Sequence, residues 1–412
     1  MFTDPSVSNI ESTLASYLDE FAKLLDIYNQ HRLLIWNLSS SLQMRPIKLP
    51  EPPSVSVGMP EIFGGGAYSV VRRAVVIGNG FAGAENQCVG LFRALGLSDR
   101  QSLYVNLFFK VKNSSTLWLQ QSPQEGPLLV VASGRDTITL ASSIRRLAPH
   151  NVFVVQIQHP RMQLDRFDLV VTPQHDYYSL TPSGQQEIPQ FLKRWITPRE
   201  PPSRNVGLTV GALHQADSVA LRVAAARWHD ELAPLPKPLL VVNIGGPTCH
   251  VKYGTDLAKE LAEKLQNVLA SCGSVRISFS RRTPLKVSSV ISKEIGDHPK
   301  VYIWNGEEPN PHMGHLAWAD AFIVTADSIS MLSEACSTGK PVYVIGSERC
   351  KWKFSAFHKV LRERGVVRKF TGKEDKQLRE FVKRSPNGDG LCGINDFAPP
   401  YFFVPGHTLM CH

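Results

Sequence analysis

The stretch Asn310–Gly346, NPHMGHLAWADAFIVTADSISMLSEACSTGKPVYVIG, contains the pattern that decides the fold. Its apolar run Ala321–Val324 predicts a strand that ends in a polar turn. Ser328 is placed to cap the following helix, because a serine oxygen at the N-cap accepts a hydrogen bond from the first turn. After that helix, Gly339-Lys340-Pro341 leads into a second apolar strand, Val342–Ile345. A strand, a capped helix and a strand in this order predict a parallel sheet covered by helices.

The same alternation extends in both directions from this stretch. Apolar runs predict further strands at 74–77, 128–132, 152–157, 168–172, 206–210, 239–244, 275–279 and 301–304. Helical spacing predicts helices at 85–95, 136–147, 256–270 and 328–337, and one long helix at 215–232. We therefore predict an α/β fold of two Rossmann-like, doubly wound parallel-sheet domains that face each other across a cleft.

Segments rich in proline and glycine mark the expected domain boundaries. We predict an N-terminal helical extension at 1–43, a Pro/Gly-rich arm at 44–66, a first Rossmann-like domain at 67–232, a second at 233–374 and an irregular tail at 375–412. The extension has an apolar face, and two interpretations stay open for it: packing on the body of the protein, or binding a membrane surface or partner.

Bulk composition limits the function classes. The formal net charge of +9 favours anionic partners such as phosphates, nucleotides or an acidic membrane leaflet, although a merely solvated basic surface fits as well. The basic residues are dispersed and form no stripe interleaved with aromatic residues, so the sequence does not indicate nucleic-acid binding. The seven cysteines include no CxxC pair, so we expect neither a disulfide framework nor a zinc site.

Targeting signals are also missing from the sequence. No apolar run reaches the roughly 20 residues that cross a bilayer. The N-terminus is acidic and poor in arginine, which is not typical of a signal peptide or a mitochondrial import sequence. If the protein acts at an organelle, we expect it to dock from the cytosol.

Two glycine motifs follow predicted strands. Gly78, Gly80 and Gly83 form a GxGxxG pattern, whose backbone can approach a phosphate. Because no acidic residue ends the next strand, a glycine turn lining the cleft is favoured over a dinucleotide site. Gly245 and Gly246 repeat the theme in the second half, where a phosphate site and a tight turn remain equal alternatives.

Charged residues beyond strand ends are the other candidates. Arg281 and Arg282 would grip a diphosphate, or else form an ordinary surface pair. His159, His175 and Asp176 follow strands of the first half and are the candidates for a general base, although a loop histidine is usually only a surface residue.

Five segments are long or specific enough to compare with known families: RRAVVIGNG at 72–80, GRDT at 134–137, QIQHP at 156–160, WITPREPP at 195–202 and the stretch 308–346. Together they resemble the "elongated mitochondria" fission proteins of plants. The similarity runs from about Met44 to about Thr371. It implies a peripheral protein on the cytosolic face of the mitochondrial outer membrane, with a cytosolic pool, that recruits a dynamin-related GTPase and promotes mitochondrial fission.

The stretch 310–346 also resembles the donor half of GT-B glycosyltransferases. In that fold a helix glutamate binds the ribose hydroxyls of a nucleotide sugar, and Glu334 stands at the matching place beside the turn that contains Ser328. An ordinary exposed helix residue is the alternative interpretation of Glu334. The resemblance implies a metal-independent transferase as the alternative function, with a nucleotide or nucleotide sugar as its ligand.

Three segments depart from the fission-protein pattern: 1–43, 104–125 and 375–412. Family members carry a much longer segment in place of 104–125. The first domain is therefore either complete or incomplete, and both alternatives stay open. A spliced or mispredicted gene would explain all three departures.

Overall fold

The computed structural model describes residues 73–78, 81–95, 102–106, 128–149, 152–161, 163–193, 196 and 198–374. The predicted extension, arm and tail, and also Gly80, lie outside the described residues. Two compact units divide the chain: unit 1 comprises 1–85, 96–170 and 408–412, and unit 2 comprises 86–95 and 171–407. The domain boundaries expected from the sequence stay a prediction.

The first sheet alternates with helices along the chain. Its elements are β1 (Arg73–Gly78), α1 (Ala82–Ala94), β2 (Ser102–Asn106), β3 (Leu128–Ser133), α2 (Ile138–Leu147), β4 (Val152–Ile157), β5 (Leu169–Pro173), α3 (Pro182–Glu187), α4 (Gln190–Lys193) and β6 (Val206–Thr209). The strand order is β2-β1-β3-β4-β5-β6, and the described pairs among β1 to β4 are parallel. Strand β3 is buried along its whole length, as a central strand covered on both faces should be.

One carboxylate fixes helix α2 to the sheet in unit 1. Arg145 Nε donates a hydrogen bond to Asp168 Oδ1 over 2.7 Å. The other oxygen of Asp168 accepts from the backbone N–H of Val154 in β4, at 2.8 Å. Because both carboxylate oxygens have donors, the half-buried ion pair is satisfied.

The second sheet belongs to unit 2 and is fully parallel. Its elements are α5 (Ser218–Arg227), α6 (His229–Leu232), β7 (Leu239–Ile244), α7 (Thr255–Leu269), β8 (Ser274–Phe279), α8 (Leu285–Ile295), β9 (Val301–Ile303), α9 (His312–Trp318), β10 (Ala321–Thr325), α10 (Ile329–Ser337), β11 (Val342–Ile345), α11 (Lys353–Glu363) and β12 (Arg368–Lys369). The order β12-β11-β10-β7-β8-β9 reverses direction between β7 and β10. The predicted α/β class with two parallel sheets is therefore confirmed, and the reversal marks the point where such sheets bind ligands.

Strand β7 shows why the apolar runs predicted strands. Leu239 and Val241 face a core formed with α5, α9, α10 and α11. Leu240 and Val242 face a second core formed with α7 and α8. Both faces are buried, so the strand needs a continuous apolar sequence instead of an alternating one.

The prediction of one helix at 215–232 is wrong, because α5 and α6 are separated at Trp228. The indole Nε1 of Trp318 donates to the carbonyl of Ala225 at 3.0 Å. In a continuous α-helix that carbonyl would accept from the N–H four residues later. A tertiary contact therefore interrupts the helix, and no proline or glycine marks the break.

The proline-rich segment 181–205 contains two short helices, α3 and α4. Thr181 caps α3 by accepting a hydrogen bond from the N–H of Gly184 at 3.1 Å. Pro182 stands at the first helical position, where its missing N–H costs nothing. No helix in the described part of the chain is both long and apolar enough to cross a membrane.

Candidate functional site

Four loops meet at the carboxyl edge of the second sheet, where the strand order reverses. They follow β7, β8, β10 and β11. Most of the predicted ligand-binding residues lie on them or at the start of the next helix: Gly245, Gly246, Arg281, Arg282 and Ser328. Ser328 caps α10 as predicted, since its side chain accepts from the N–H of Met331.

Asp327, which directly follows β10, joins three of these loops. Its Oδ2 accepts hydrogen bonds from the N–H of Gly246 at 2.9 Å and from Arg282 Nη2 at 3.1 Å. Its Oδ1 accepts from the hydroxyls of Thr325 at 2.7 Å and Tyr253 at 3.3 Å. Burial raises the pKa of Asp327, and the hydrogen bonds and the charge of Arg282 oppose that rise. The carboxylate therefore organises the edge of the sheet.

Gly245 and Gly246 are needed here because other groups approach them closely. A Cβ on Gly245 would lie 2.1 Å from Asp327 Oδ2, and one on Gly246 would lie 2.1 Å from the carbonyl oxygen of Arg282. Both N–H groups already have acceptors, since Gly245 donates to Thr325 Oγ1 at 2.7 Å. Phosphate binding at these amides stays a prediction, and a phosphate would have to displace internal bonds.

The two adjacent arginines have different surroundings. Arg282 Nη1 donates to the carbonyl of Gly246 at 3.2 Å, in addition to its contact with Asp327. Arg281 is exposed. The pair consequently does not form one pre-arranged clamp, because one member is held in the loop network and the other is directed to solvent.

Glu334 lies in the second turn of α10 and is only 3% exposed. Its Oε1 accepts from Asn86 Nδ2 at 2.7 Å, and its Oε2 lies 2.9 Å from His312 Nε2. Burial opposes charge on His312, but the charge of Glu334 and their hydrogen bond together raise the pKa of His312. Asn86 in turn accepts from Gln215. The interpretation of Glu334 as an exposed helix residue is wrong, whereas its role in ribose binding stays a prediction.

Asp176 and His175 lie in the 3₁₀ helix that follows β5. Asp176 accepts from Lys353 Nζ at 2.7 Å and from Thr172 Oγ1 at 2.8 Å. Burial alone would raise the pKa of Asp176, but the charges of Lys353 and His175 and the hydrogen bonds from Lys353 and Thr172 together lower it. His175 packs on the ring of Phe357, and burial lowers the pKa of His175 to about 4. The structure thus places both residues in packed surroundings, and a role as general base stays a prediction.

The remaining candidates belong to unit 1, whereas all those above belong to unit 2. The Nδ1 of His159 accepts from the backbone N–H of Arg161 at 3.0 Å. Gly78 ends β1, and Gly83 lies exposed in α1.

A buried polar cluster in unit 2 was not predicted. Asn243 and Ser278 are register partners in β7 and β8. Both side-chain polar atoms of Asn243, Oγ of Ser278, Nε of Arg276 and Nδ1 of His315 are buried without a hydrogen bond to any described residue. Burial, followed by the charges of His312 and Arg276, lowers the pKa of His315 to about 3. Polar residues within otherwise apolar strands were the signal that could have revealed this cluster.

Comparisons with known sequences identify relatives. The family model described as mitochondrial fission ELM1 matches residues 82–384. A protein of Arabidopsis thaliana, named mitochondrial fission protein ELM1, is 56% identical over 394 residues, which cover 81% of this chain and 92% of that protein. An uncharacterised protein of Rickettsia prowazekii is 32% identical over 234 residues, covering 53% of this chain and 64% of that protein.

Solved structures with a similar course of the chain are more distant. The UDP-GlcNAc 2-epimerase of Methanocaldococcus jannaschii superposes with a TM-score of 0.45 at 11% identity, over 75% of this chain and 91% of that chain. A putative UDP-N-acetylglucosamine 2-epimerase of Listeria monocytogenes gives 0.46 at 12% identity, over 78% and 91%.

Proposed function

The chain belongs to the mitochondrial fission ELM1 family, and from this premise we propose that it promotes mitochondrial fission by recruiting a dynamin-related GTPase to the outer membrane. The observation that carries the proposal is the 56% identity with the fission protein of Arabidopsis. That relationship supports a fission role and an association with mitochondria. The GTPase, the cytosolic face of the outer membrane and a cytosolic pool are the finer parts of the proposal.

The internal hydrogen bonds at the candidate donor site favour a scaffold over an enzyme. Both carboxylate oxygens of Glu334 are bonded to protein groups. The N–H groups of Gly245 and Gly246 are bonded as well. A ligand that used these atoms would first have to break buried hydrogen bonds, and each buried group left unpaired costs about 1–3 kcal/mol. These internal hydrogen bonds hold the loops in place, as a scaffold that presents a fixed binding surface requires.

Deleting the gene should leave long, interconnected mitochondria and a GTPase that stays in the cytosol. Reintroducing the intact chain should restore fission, and Glu334→Gln should restore it equally, because a scaffold needs the shape of the site and not its charge. Microscopy of mitochondria and of the tagged GTPase measures both effects. Normal mitochondria in a clean deletion strain would contradict the proposal.

The alternative function is a metal-independent GT-B-type glycosyltransferase that uses a nucleotide-sugar donor. Arg281, Arg282 and Glu334 would then hold the donor, and a general base would be needed for an inverting mechanism. The observation that favours this alternative is that Glu334 lies on the helix after the strand-end turn, as the donor-site pattern requires.

Calorimetry separates the two functions. We expect no measurable heat when the protein is titrated with UDP or GDP sugars, because the atoms that would bind the donor are already engaged. Micromolar binding that is abolished by Glu334→Ala would contradict the scaffold and support the enzyme. Glu363→Ala, on the exposed side of α11, is the matched control and should change nothing.

A further inference from the structure

A strongly exposed leucine lies among cations at the carboxyl edge of the second sheet. Leu285, the first residue of α8, is 84% exposed, more than any other large apolar residue in the described part of the chain. Arg281, Arg282 and Lys286 flank it in the sequence and are exposed too. Single exposed leucines are common in soluble proteins, so the combination with the cations is the informative feature.

Hydrogen bonds to backbone carbonyls connect this surface with the neighbouring loops. Arg282 Nη1 bonds the carbonyl of Gly246, which joins the loop after β8 to the loop after β7. The N–H of Lys351 donates a hydrogen bond to the carbonyl of His250 at 3.0 Å, which joins the loop after β11 to the loop after β7. We call the resulting surface the basic edge; its members are Lys252, Arg281, Arg282, Leu285, Lys286 and Lys351.

Most carboxylates near the basic edge are already paired. Asp327 is buried and neutralises the charge of Arg282, so the excess charge of the basic edge comes from Lys252, Arg281, Lys286 and Lys351. Arg349 binds Asp256, and Glu348 lies 3.5 Å from Lys369. The exposed Glu307 and Glu308 follow β9, at the end of the strand order, so they bound the basic edge on one side. Positive charge therefore dominates between β11 and β8.

We propose that the basic edge docks the protein on an anionic bilayer, with Leu285 entering the boundary between headgroups and acyl chains. Anionic headgroups attract lysine and arginine near the surface, and an apolar side chain gains free energy when it leaves water there. A site for free phosphate would account for the cations, but it gives no reason for a leucine that is 84% exposed. This proposal specifies the surface by which the protein would attach to the outer membrane. It rests on the proposed function only for the identity of the organelle.

Flotation of the purified full-length chain with vesicles tests the proposal. We expect binding to phosphatidylcholine vesicles that contain about one-fifth phosphatidylserine, none to phosphatidylcholine alone, and weaker binding at high salt. Leu285→Ser should lower the partition coefficient about ten-fold, and Arg281→Glu combined with Lys286→Glu by more than ten-fold.

A matched control changes the net charge equally elsewhere. Lys293→Glu combined with Arg364→Glu alters two exposed cations at the C-terminal ends of α8 and α11, away from the loops, and should lower partition by no more than about two-fold. All the substituted residues are exposed, so the thermal midpoint measured by circular dichroism should be unchanged in each variant.

Several results would overturn the docking surface. One is an equal loss of vesicle binding in the control and the basic-edge variants; others are equal binding to neutral vesicles and no vesicle binding at all. Another is that millimolar inorganic phosphate displaces the protein from vesicles while Leu285→Ser leaves vesicle binding unchanged. The last result would indicate a phosphate site. Vesicle binding is measured without the GTPase, so loss of recruitment in cells with vesicle binding intact would overturn only the proposed function.

Discussion

Lowering the pH from about 7 to about 4.5 is expected to remove most of the stability of unit 2, because three of its histidines are buried in the neutral form. Burial is the largest cause in each case, and it lowers the pKa of His175 and His358 to about 4 and that of His315 to about 3. The unfolded chain takes up protons near the ordinary pKa of 6.5, whereas the folded chain does not. Stability is therefore complete above pH 6.5 and is lost as the pH falls towards 4.

The size of this effect follows from proton linkage. Each such group contributes a slope of at most about 1.4 kcal/mol per pH unit within its window. Three groups give about 4 kcal/mol per pH unit, which over two units is comparable with the whole stability of a typical domain. The raised pKa of His312 acts only above pH 6.5, so it does not oppose the loss of stability below that pH. The raised pKa of Asp327 reduces the slope at the acidic end of the range, whereas burial lowers the pKa of His214 and adds to the slope.

Urea unfolding followed by circular dichroism across this pH range measures the slope. His315→Gln should remove at most about one-third of it, since His175, His214 and His358 still contribute. His229→Gln is the control, because the side chain of His229 is 65% exposed. A free energy of unfolding that stays constant from pH 7 to 4.5 would show that these histidines are protonated in the folded state.

Asp327→Ala should lower the free energy of unfolding by about 2–6 kcal/mol, because each of two buried donors that loses its acceptor costs about 1–3 kcal/mol. The N–H of Gly246 and the hydroxyl of Thr325 would lose their acceptor in a buried environment. Asp327→Asn should cost less, about 1–3 kcal/mol, because one carboxylate oxygen is replaced by an NH₂ group that faces donors.

The matched control for this series is Asp256→Ala. Asp256 also pairs with an arginine, Arg349, but its side chain is 62% exposed. Exposed pairs contribute about 0–1 kcal/mol, so this variant should unfold at nearly the same urea concentration as the unsubstituted protein. Equal losses at Asp327 and Asp256 would mean that the network around Asp327 does not stabilise the edge of the sheet.

Features that depend on local sequence were predictable. The strand Leu239–Ile244 was predicted within its observed bounds, since burial on both faces requires a continuous apolar run. The cap at Ser328 was also predictable, because it depends only on the first turn of one helix. Helix α8 was overlooked although Val287, Ile291 and Ile295 recur every four residues, so its signal was present in the sequence.

Tertiary contacts were beyond sequence reasoning. Asn86 and Glu334 are 248 positions apart in the chain, and no local pattern pairs them. Asp327 stands in the polar turn that follows β10, but its role depends on donors from Gly246 and Arg282 on other loops. Sequence periodicity therefore located the loops of the candidate site, while the bonds within it required the fold.

The two outermost strands of the second sheet have a consequence for behaviour at high concentration. Strand β9 has three residues, and β12 has two, Arg368 and Lys369, both exposed and positively charged. Short edge strands offer few free backbone groups to a neighbouring chain, and the two cations of β12 repel a second copy of that strand. A high protein concentration should consequently not drive the described edges of this sheet into fibrous polymers.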